Sequence, residues 1–190
     1  LQPVLAETLA GCEVDLRFAD VTRVDFAAEL PAGRWTLVAN LPYNVGTPLV
    51  LDLLRNAPPI VRFVVMVQRE VGERLAAGPG SRTYGLPSVI AQLHADVNAG
   101  FKVPPQVFVP APDVESSVVV LVRKPAPPSV EAAIGLAAAA FNQRRKMLRR
   151  SLVSVLVDPE AVLERAGIDP TARAEALAPE DYLRLAGAVP

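Results

Sequence analysis

The sequence predicts an α/β fold, in which a mostly parallel, Rossmann-like sheet packs against helices and is followed by a small all-helical region. Two kinds of observation support this prediction. Apolar, β-branched runs at 35–39, 60–67 and 117–122 are typical of buried strands, and amphipathic segments lie between them. Prolines at 125, 127 and 128 then form a stiff linker, and no segment beyond it has a strand pattern.

The elements before the linker follow from periodicity and from helix start and stop signals. Strands are predicted at four segments that alternate in polarity or are continuously apolar: 13–18, 35–39, 60–67 and 117–122. Helices are predicted at 3–9, 69–77 and 87–97, and a short loop or helix at 24–30. Thr47 as N-cap and Pro48 in the first turn predict one more helix, which stops near Pro58.

The part of the chain after the linker predicts helices only. Their segments are 130–141, 143–157, 159–166 and 179–188, separated by Asp-Pro and Gly-containing breaks. We therefore expect two domains. Residues 1–125 form the Rossmann-like domain, and residues 126–190 form a C-terminal helical domain.

Composition narrows the classes of function. The chain has 190 residues and a net charge of -1, so any nucleic-acid binding must rest on local basic patches. Cys12 is the single cysteine and His94 the single histidine, which excludes an internal disulfide and the usual zinc sites and disfavours a Ser-His-Asp triad. The apolar runs are too short or too interrupted to span a bilayer, and no signal peptide is visible. We expect a cytoplasmic monomer without a metal.

The tetrapeptide Asn40-Leu41-Pro42-Tyr43 directly follows the run at 35–39. In doubly wound α/β proteins, ligands bind where parallel strands end. An amide, a proline that exposes backbone carbonyl and an aromatic ring suit a planar base that carries an amine. The tetrapeptide resembles the signature of adenine-N6 methyltransferases. An ordinary exit from a strand into a turn is the alternative interpretation.

Three further segments strengthen this resemblance. They are 66–75, with Met-Val-Gln-Arg-Glu at its start; 101–117, with Phe-Lys-Val-Pro-Pro-Gln-Val-Phe-Val-Pro and a final Val-Glu-Ser-Ser; and 140–149, Ala-Phe-Asn-Gln-Arg-Arg-Lys-Met-Leu-Arg. In this order and spacing, the set closely resembles the small-subunit ribosomal RNA adenine N6,N6-dimethyltransferases, the kasugamycin-sensitivity methyltransferase family. The resemblance extends from about residue 15 to residue 186.

The resemblance implies a fold, a reaction and roles for matching residues. It implies a Rossmann-like methyltransferase domain that uses S-adenosyl-L-methionine, joined to a C-terminal helical domain. The implied reaction is dimethylation of N6 on two adjacent adenosines near the 3′ end of small-subunit (16S) rRNA, linked to ribosome assembly, with the small ribosomal subunit as partner. Asp20 matches the acid that contacts the adenine amine of the cofactor. Asn40 matches the residue that touches cofactor and target base, and Phe108 matches the aromatic that packs on the target adenine.

These residue types suit the chemistry. An adenine amine is a poor nucleophile because its lone pair is delocalised into the ring. If the Asn40 amide oxygen and the Pro42 backbone carbonyl accept the two amine hydrogens, the nitrogen becomes more tetrahedral and its lone pair can face the sulfonium methyl. Tyr43 and Phe108 would stack on a base held out of its helix. Catalysis is then mainly a matter of positioning an in-line attack.

One dense basic cluster follows the last of these motifs. It consists of Arg144, Arg145, Lys146, Arg149 and Arg150, which we predict to bind RNA phosphates. A solvated helix face is the alternative interpretation, since most charge runs are of that kind. The position of the cluster in an otherwise nearly neutral chain favours RNA.

Some features depart from the family pattern and leave alternatives open. The glycine-rich cofactor loop of the family and its acidic ribose-binding residue would precede Leu1, so we expect an N-terminally truncated form that lacks the first strands and binds cofactor poorly or is inactive by itself. One alternative is a large-subunit rRNA adenine-N6 methyltransferase of the macrolide-resistance type. Another is a non-catalytic protein of ribosome assembly that binds RNA.

Overall fold

The computed structural model describes residues 2–190 and contains short helices around one sheet. The helices are α1 Gln2–Thr8, α2 Phe26–Glu29, α3 Gly46–Asn56, α4 Arg69–Leu75, α5 Leu86–His94, α6 Val130–Asn142, α7 Leu148–Ser151, α8 Pro159–Arg165 and α9 Pro179–Gly187. The strands are β1 Trp35–Asn40, β2 Ile60–Gln68, β3 Ala95–Val103 and β4 Ser116–Arg123. Short 3-10 helices span Val21–Arg23, Pro105–Val107 and Ala174–Ala176.

The four strands form one mixed sheet in the order β1-β2-β4-β3. β1 and β2 run parallel, with Asn40 opposite Met66 at the carboxyl end of β1. β4 runs antiparallel to both of its neighbours, β2 and β3. β1, β2 and β3 therefore run in the same direction, which agrees with the predicted mostly parallel sheet. Only β4 is reversed among residues 2–190, because the chain turns back directly from β3 into β4 instead of crossing over through a helix.

Three of the four predicted strands are confirmed, with small differences in their bounds. β1, β2 and β4 correspond to the apolar runs at 35–39, 60–67 and 117–122. β1 is less buried than its composition suggests, since the side chains of Trp35 and Val38 are 38% and 75% exposed. The prediction that β1 is a buried strand is wrong, because β1 lies at the edge of the sheet formed by residues 2–190.

The predicted strand at 13–18 does not form. Residues 13–20 have no regular secondary structure, and all of them are exposed. The apolar side chains Val14, Leu16 and Phe18 stay between 38% and 54% exposed. Alternation alone does not make a strand, because an extended segment needs a neighbouring strand for its backbone groups and a core for its apolar face.

The predicted helix at 87–97 is too long. α5 ends at His94, and the chain continues at once as β3. The composition of β3, with Ala, Asp, Asn and Gly among its residues, is poor for a strand. β3 nevertheless forms because it pairs with β4 at both of its ends, over residues 95–99 and 102–103. This pairing outweighs the local preference.

Two other helix predictions differ in detail. α3 begins at Gly46, one residue before Thr47, because the N–H groups of Val45 and Gly46 both donate to the Pro42 carbonyl and start a helical turn there. The segment 143–157 contains only α7 and several turns in place of one helix. The N–H groups of Leu148 and Arg149 donate to the carbonyls of Ala172 and Pro170. They are therefore not available to a helix that would run on from residue 143.

Two apolar clusters form the core. The first packs α3 and α4 onto the sheet around Phe63, Val65 and Leu121. The second joins the helices after the linker to α5, and its members include Tyr84, Leu93 and Tyr182. Since this second cluster crosses residue 125, the division into domains at 125 and 126 stays a prediction. Among residues 2–190, no helix is long and apolar enough to cross a membrane.

Candidate active site

The carboxyl end of β1 opens into the turn that carries the predicted tetrapeptide. Leu41 donates its N–H to the Met66 carbonyl at 3.2 Å, which continues the pairing with β2 for one residue. The Leu41 side chain is only 6% exposed and packs into the sheet core. Its two neighbours, Asn40 and Pro42, are both exposed. A single buried leucine thus fixes the backbone between two surface residues.

The backbone carbonyls of the tetrapeptide are not equally available. The Pro42 carbonyl oxygen accepts hydrogen bonds from the N–H groups of Val45 at 3.1 Å and Gly46 at 3.0 Å. Both of its lone pairs are therefore engaged in starting α3. The Leu41 carbonyl accepts no hydrogen bond from any group in residues 2–190. This geometry favours Leu41, and not Pro42 as the sequence predicts, as the backbone acceptor for a ligand amine.

Tyr43 lies on the surface of the turn, with its ring 38% exposed. Its hydroxyl oxygen is 2.9 Å from the Ser116 hydroxyl at the start of β4. No sequence pattern connects these two residues, because a serine in Val-Glu-Ser-Ser carries no signal that indicates its partner. The ring is thus attached at its far end to a strand that lies two positions away in the sheet.

Phe108 reaches the same place from the loop between β3 and β4. This proline-rich loop contains the 3-10 helix Pro105–Val107, and Phe108 follows it with a half-buried side chain. An open cleft of about 310 Å³ is lined by Asn40, Leu41, Pro42, Tyr43, Phe108, Pro110 and Pro112. The structure therefore brings together, across more than 60 positions of sequence, all five residues that the sequence predicts as catalytic.

A second cavity lies between the end of β2 and the segment that leads into β4. It has a volume of about 390 Å³ and is lined by Gln68, Arg69, Glu70, Asp113, Val114 and Glu115. Arg69 connects its two walls, because its N–H donates to the Glu115 carbonyl at 2.9 Å and its Nε is 3.3 Å from the Glu115 carboxylate. These contacts anchor the end of the loop that carries Phe108.

Asp20, the predicted cofactor contact, does not line the cleft. It caps the 3-10 helix Val21–Arg23, and its carboxylate accepts hydrogen bonds from the Thr22 hydroxyl at 2.7 Å and the Thr22 N–H at 3.0 Å. These hydrogen bonds hold the pKa of Asp20 below its usual value, so the carboxylate is charged at neutral pH. Its side chain is 56% exposed and thus remains accessible to a ligand.

The basic cluster does not form one continuous helix face. Arg144 pairs with Glu175, and Arg149 is 3.4 Å from Glu160. The other three cations, Arg145, Lys146 and Arg150, are exposed and have no ion pair with any of residues 2–190. The turn at 141–146 also surrounds a cavity of about 360 Å³. Part of the cluster thus stabilises the helical region, and part of it stays accessible.

Metal ligands are not clustered in the described residues. Within 2–190, no group of three or more His, Cys, Asp or Glu side chains could hold a metal ion. The cleft offers instead an amide, a free backbone carbonyl and two aromatic rings, from Asn40, Leu41, Tyr43 and Phe108. Such a set can hold a flat base by stacking while it accepts hydrogen bonds from an exocyclic amine.

Comparison with known proteins gives a consistent result. A family model described as ribosomal RNA adenine dimethylase matches residues 11–189. The ribosomal RNA small subunit methyltransferase A of Rhodospirillum rubrum is 48% identical over 190 residues, which cover 98% of this chain and 62% of that protein. The protein of the same name from Kineococcus radiotolerans is 42% identical and is covered over 66% of its length. The chain thus spans less than two thirds of the length of these relatives.

Two solved structures share the fold. The dimethyladenosine transferase from Plasmodium falciparum matches with a TM-score of 0.77 at 21% identity, over 95% of this chain and 75% of that one. The 23S rRNA methyltransferase ErmE matches with a TM-score of 0.72 at 23% identity, over 98% of this chain and 77% of that one. These two likenesses and the mixed sheet confirm the predicted Rossmann-like methyltransferase fold.

Proposed function

The chain belongs to the ribosomal RNA adenine dimethylase family, as its motifs predict, and on that premise we propose that it carries the base-binding site of a small-subunit rRNA adenine N6,N6-dimethyltransferase. The observation that carries this proposal is the cleft itself. Asn40, Leu41, Tyr43 and Phe108 line it together, although they come from two distant parts of the sequence. The proposed substrate is a pair of adjacent adenosines near the 3′ end of 16S rRNA.

The residues of the cleft act by holding the target adenine. Tyr43 and Phe108 stack on the base, at about 1–3 kcal/mol for each base stacked. The Asn40 side-chain oxygen and the Leu41 carbonyl oxygen accept the two N6 hydrogens. This geometry draws the nitrogen lone pair out of conjugation and directs it along the line of transfer. The adenine must leave its helix to reach the cleft, which suits enzymes that modify bases.

S-adenosyl-L-methionine, when bound, supplies an electrophilic methyl group on a sulfonium. It would give up this methyl group to the N6 that Asn40 and Leu41 hold and would leave as the neutral thioether, while N6 would lose a proton to solvent. No strong base is required, since the methylated ammonium of an aryl amine is acidic. The second transfer repeats this sequence on an N6 that already carries one methyl group.

Two residues fit part of the cofactor. The Asn40 side chain makes no hydrogen bond with residues 2–190, so its amide is available on the cofactor side as well as on the base side. Asp20 presents a charged, exposed carboxylate that can accept a hydrogen bond from an adenine amine. We assign the cofactor's adenine to Asp20 on these grounds.

The accessible cations provide the RNA contact. Arg145, Lys146 and Arg150 are exposed without ion pairs in the described chain, whereas Arg144 and Arg149 each face a carboxylate. Neutralising RNA phosphates releases counterions, so binding through these side chains weakens with salt. We place the protein in the cytoplasm, where small ribosomal subunits are assembled, and expect it to act as a monomer.

The named relatives favour the small subunit as the target. Proteins called ribosomal RNA small subunit methyltransferase A are 42% and 48% identical to this chain. The 23S enzyme is only 23% identical, so its likeness concerns the fold alone. Specificity for the small subunit is therefore the better supported of the two rRNA hypotheses.

The deciding experiment measures methyl transfer from radiolabelled S-adenosylmethionine to small ribosomal subunits that lack the modification. The RNA is then digested to nucleosides and separated. We expect labelled N6,N6-dimethyladenosine from small-subunit RNA and none from isolated large subunits. Binding to small subunits without transfer would contradict the catalytic proposal and support the RNA-binding alternative. Label in large-subunit RNA would contradict the assigned substrate.

A further inference from the structure

One hydrogen bond joins the two sides of the cleft. Tyr43 belongs to the turn after β1, and its hydroxyl lies 2.9 Å from the hydroxyl of Ser116, the first residue of β4. The two residues are 73 positions apart, so only the folded chain brings them together. Ser116 does not itself line the cleft. Any effect it has on a bound base must therefore act through Tyr43.

Ser116 is a rigid point of the sheet. It pairs with Gln68 of β2 on one side and with Val103 of β3 on the other. Its residue surface is only 1% exposed. A hydroxyl in this position has little freedom to move, because both neighbouring strands hold its backbone. The Ser116 hydroxyl can therefore restrain a more exposed side chain that forms a hydrogen bond with it.

The loop with Phe108 starts and ends at this same point. It leaves the sheet after Val103 and returns at Ser116, and these two residues pair with each other. Glu115, just before Ser116, is held by Arg69 through a backbone hydrogen bond and an ion pair. The hydroxyl of Ser116 therefore connects the Tyr43 ring to the base of the Phe108 loop. The two aromatic walls of the cleft share one anchor.

Tyr43 needs such an anchor. The residue is 38% exposed, so packing covers only part of it. A tyrosine ring has two rotatable bonds between backbone and ring, and its hydroxyl is at the far end of both. A hydrogen bond at that end restrains the rotation about Cα–Cβ, which would carry the hydroxyl oxygen away from Ser116. Rotation about Cβ–Cγ leaves that oxygen in place, so the bond sets where the ring lies. Without it, the exposed ring could swing away from the cleft.

We propose that Ser116 is a positioning residue, whose hydroxyl holds the far end of the Tyr43 ring at the cleft, where the ring can pack on the target adenine together with Phe108. This inference rests on the proposed function of the cleft. Because orientation matters most in the transfer step, loss of the Ser116 hydroxyl should lower kcat more than it raises KM for the small subunit. A single neutral hydrogen bond predicts a loss of about 3- to 10-fold.

The next residue provides a matched control. Ser117 is also buried in β4, and its hydroxyl has no hydrogen-bond partner in residues 2–190. It faces α4, where a Cβ added to Gly72 would lie 2.4 Å from it. Ser117→Ala removes the same atom from the same strand, one residue further along. It should leave both kcat and KM unchanged.

The kinetic test compares four variants of the full chain in methyl transfer to small subunits: Ser116→Ala, Tyr43→Phe, the double variant and Ser117→Ala. We expect the first two to lower kcat to a similar extent, with KM within about twofold of the wild-type value. The double variant should be no slower than either single variant, because both remove one and the same bond. Wild-type kcat in Ser116→Ala, or losses that multiply in the double variant, would overturn the proposal.

A second measurement is independent of methyl transfer. The chain has three tyrosines, and Tyr84 and Tyr182 are both 0% exposed. In protein labelled with carbon-13 in the tyrosine rings, Ser116→Ala should shift the NMR signals of Tyr43 and leave those of Tyr84 and Tyr182 in place. An unchanged Tyr43 signal would refute the orienting role. If wild-type protein transferred no methyl group, the proposed function would fail, and these NMR signals would decide the role of Ser116 separately.

Discussion

The cleft and the second apolar cluster, which joins α5 to the helices after the linker and is called the helical cluster below, use tyrosine in opposite ways. In the helical cluster, Tyr84 and Tyr182 are fully buried, and their hydroxyls donate at 2.8 Å to the backbone carbonyls of Leu177 and Ala174. Burial raises the pKa of both hydroxyls, so neither ionises in the physiological range. In the cleft, Tyr43 is 38% exposed, and its hydroxyl contacts the side chain of Ser116.

This difference indicates that the buried tyrosines contribute to stability, whereas Tyr43 is available for ligand binding. A buried ring with its hydroxyl on a backbone carbonyl contributes apolar burial and a hydrogen bond that is shielded from water. Tyr182 also packs near Phe141, at 6.4 Å between ring centroids. An exposed ring at the end of a strand contributes little burial, and its free face is available to a flat ligand. Changes in the two regions should therefore affect different measurements.

The largest expected effect concerns the cleft. Asn40→Ala removes the side-chain acceptor for the target amine and should reduce methyl transfer about 100- to 1000-fold, the usual result of deleting one such group from an active site. The melting temperature and the affinity for small subunits should not change, since Asn40 is exposed and outside the basic cluster.

Asn44→Ala is the matched control for this variant, because Asn44 is exposed in the same turn but does not line the cleft. It should keep wild-type activity. Loss of RNA binding together with activity in Asn40→Ala would contradict the separation of base site and RNA surface. Comparable losses in both variants would mean that the turn as a whole is sensitive, and not the amide.

The second prediction compares a glycine that packs on β4 with a glycine of the helical cluster. A Cβ at Gly72 of α4 would lie 2.4 Å from the Ser117 hydroxyl and 2.9 Å from a methyl of Val119. Gly72→Ala should therefore lower the free energy of unfolding by about 1–3 kcal/mol, the usual cost of overpacking. Gly135 of α6 has nothing within 4 Å of an added Cβ. Gly135→Ala should therefore raise the free energy of unfolding by about 0.5–1 kcal/mol. Urea denaturation measures both, and a loss of stability in Gly135→Ala would show that the helical cluster is packed more tightly than its contacts indicate.

The third prediction uses the tyrosines directly. Tyr182→Phe removes a buried hydrogen bond to the Ala174 carbonyl, which keeps only the bond of 3.4 Å from the Leu177 N–H. The variant should reduce the free energy of unfolding by about 0.5–1.5 kcal/mol, without a change in kcat. Tyr43→Phe should have the reverse pattern, with a lower kcat and stability within about 0.5 kcal/mol of wild type. Denaturation and single-turnover transfer on both variants test the comparison. If both variants lost stability, or both lost kcat, to the same extent, the contrast between the two tyrosines would be wrong.

The smallest expected effect distinguishes two cations of the basic cluster. Lys146 is exposed without an ion pair in the described chain, so Lys146→Gln should make the dependence of log affinity on log salt shallower by about 0.7 for a single-stranded contact. Arg144 faces Glu175, with their side chains 43% and 36% exposed. Arg144→Gln should cost at most about 1 kcal/mol of stability and leave the salt dependence almost unchanged. Equal changes in salt dependence, measured by titration, would show that the ion pair opens to bind RNA.

The sequence predicted the part of the site that is local. Asn40 to Tyr43 follow β1 as expected, because an apolar strand and the turn after it both depend on residues that are adjacent in the sequence. The motif that contains Phe108 also indicated an aromatic residue that lines the same cleft. What the sequence could not give was the choice of carbonyl, since the hydrogen bonds from Val45 and Gly46 that engage Pro42 depend on where α3 begins. The Ser116 contact was likewise hidden, because no local pattern indicates its partner.

By itself, the sequence determined the strongly apolar strands, most helices and the family. Each depends on periodicity or on motifs that neighbouring residues define. Only the tertiary structure decided that 13–18 stays without a strand partner among residues 2–190, that β3 forms from poor strand residues, and that β4 returns antiparallel. It also decided which cations face Glu175 and Glu160. The physical reason is the same in each case: hydrogen bonds and ion pairs between distant segments depend on which surfaces meet, and local sequence does not encode that.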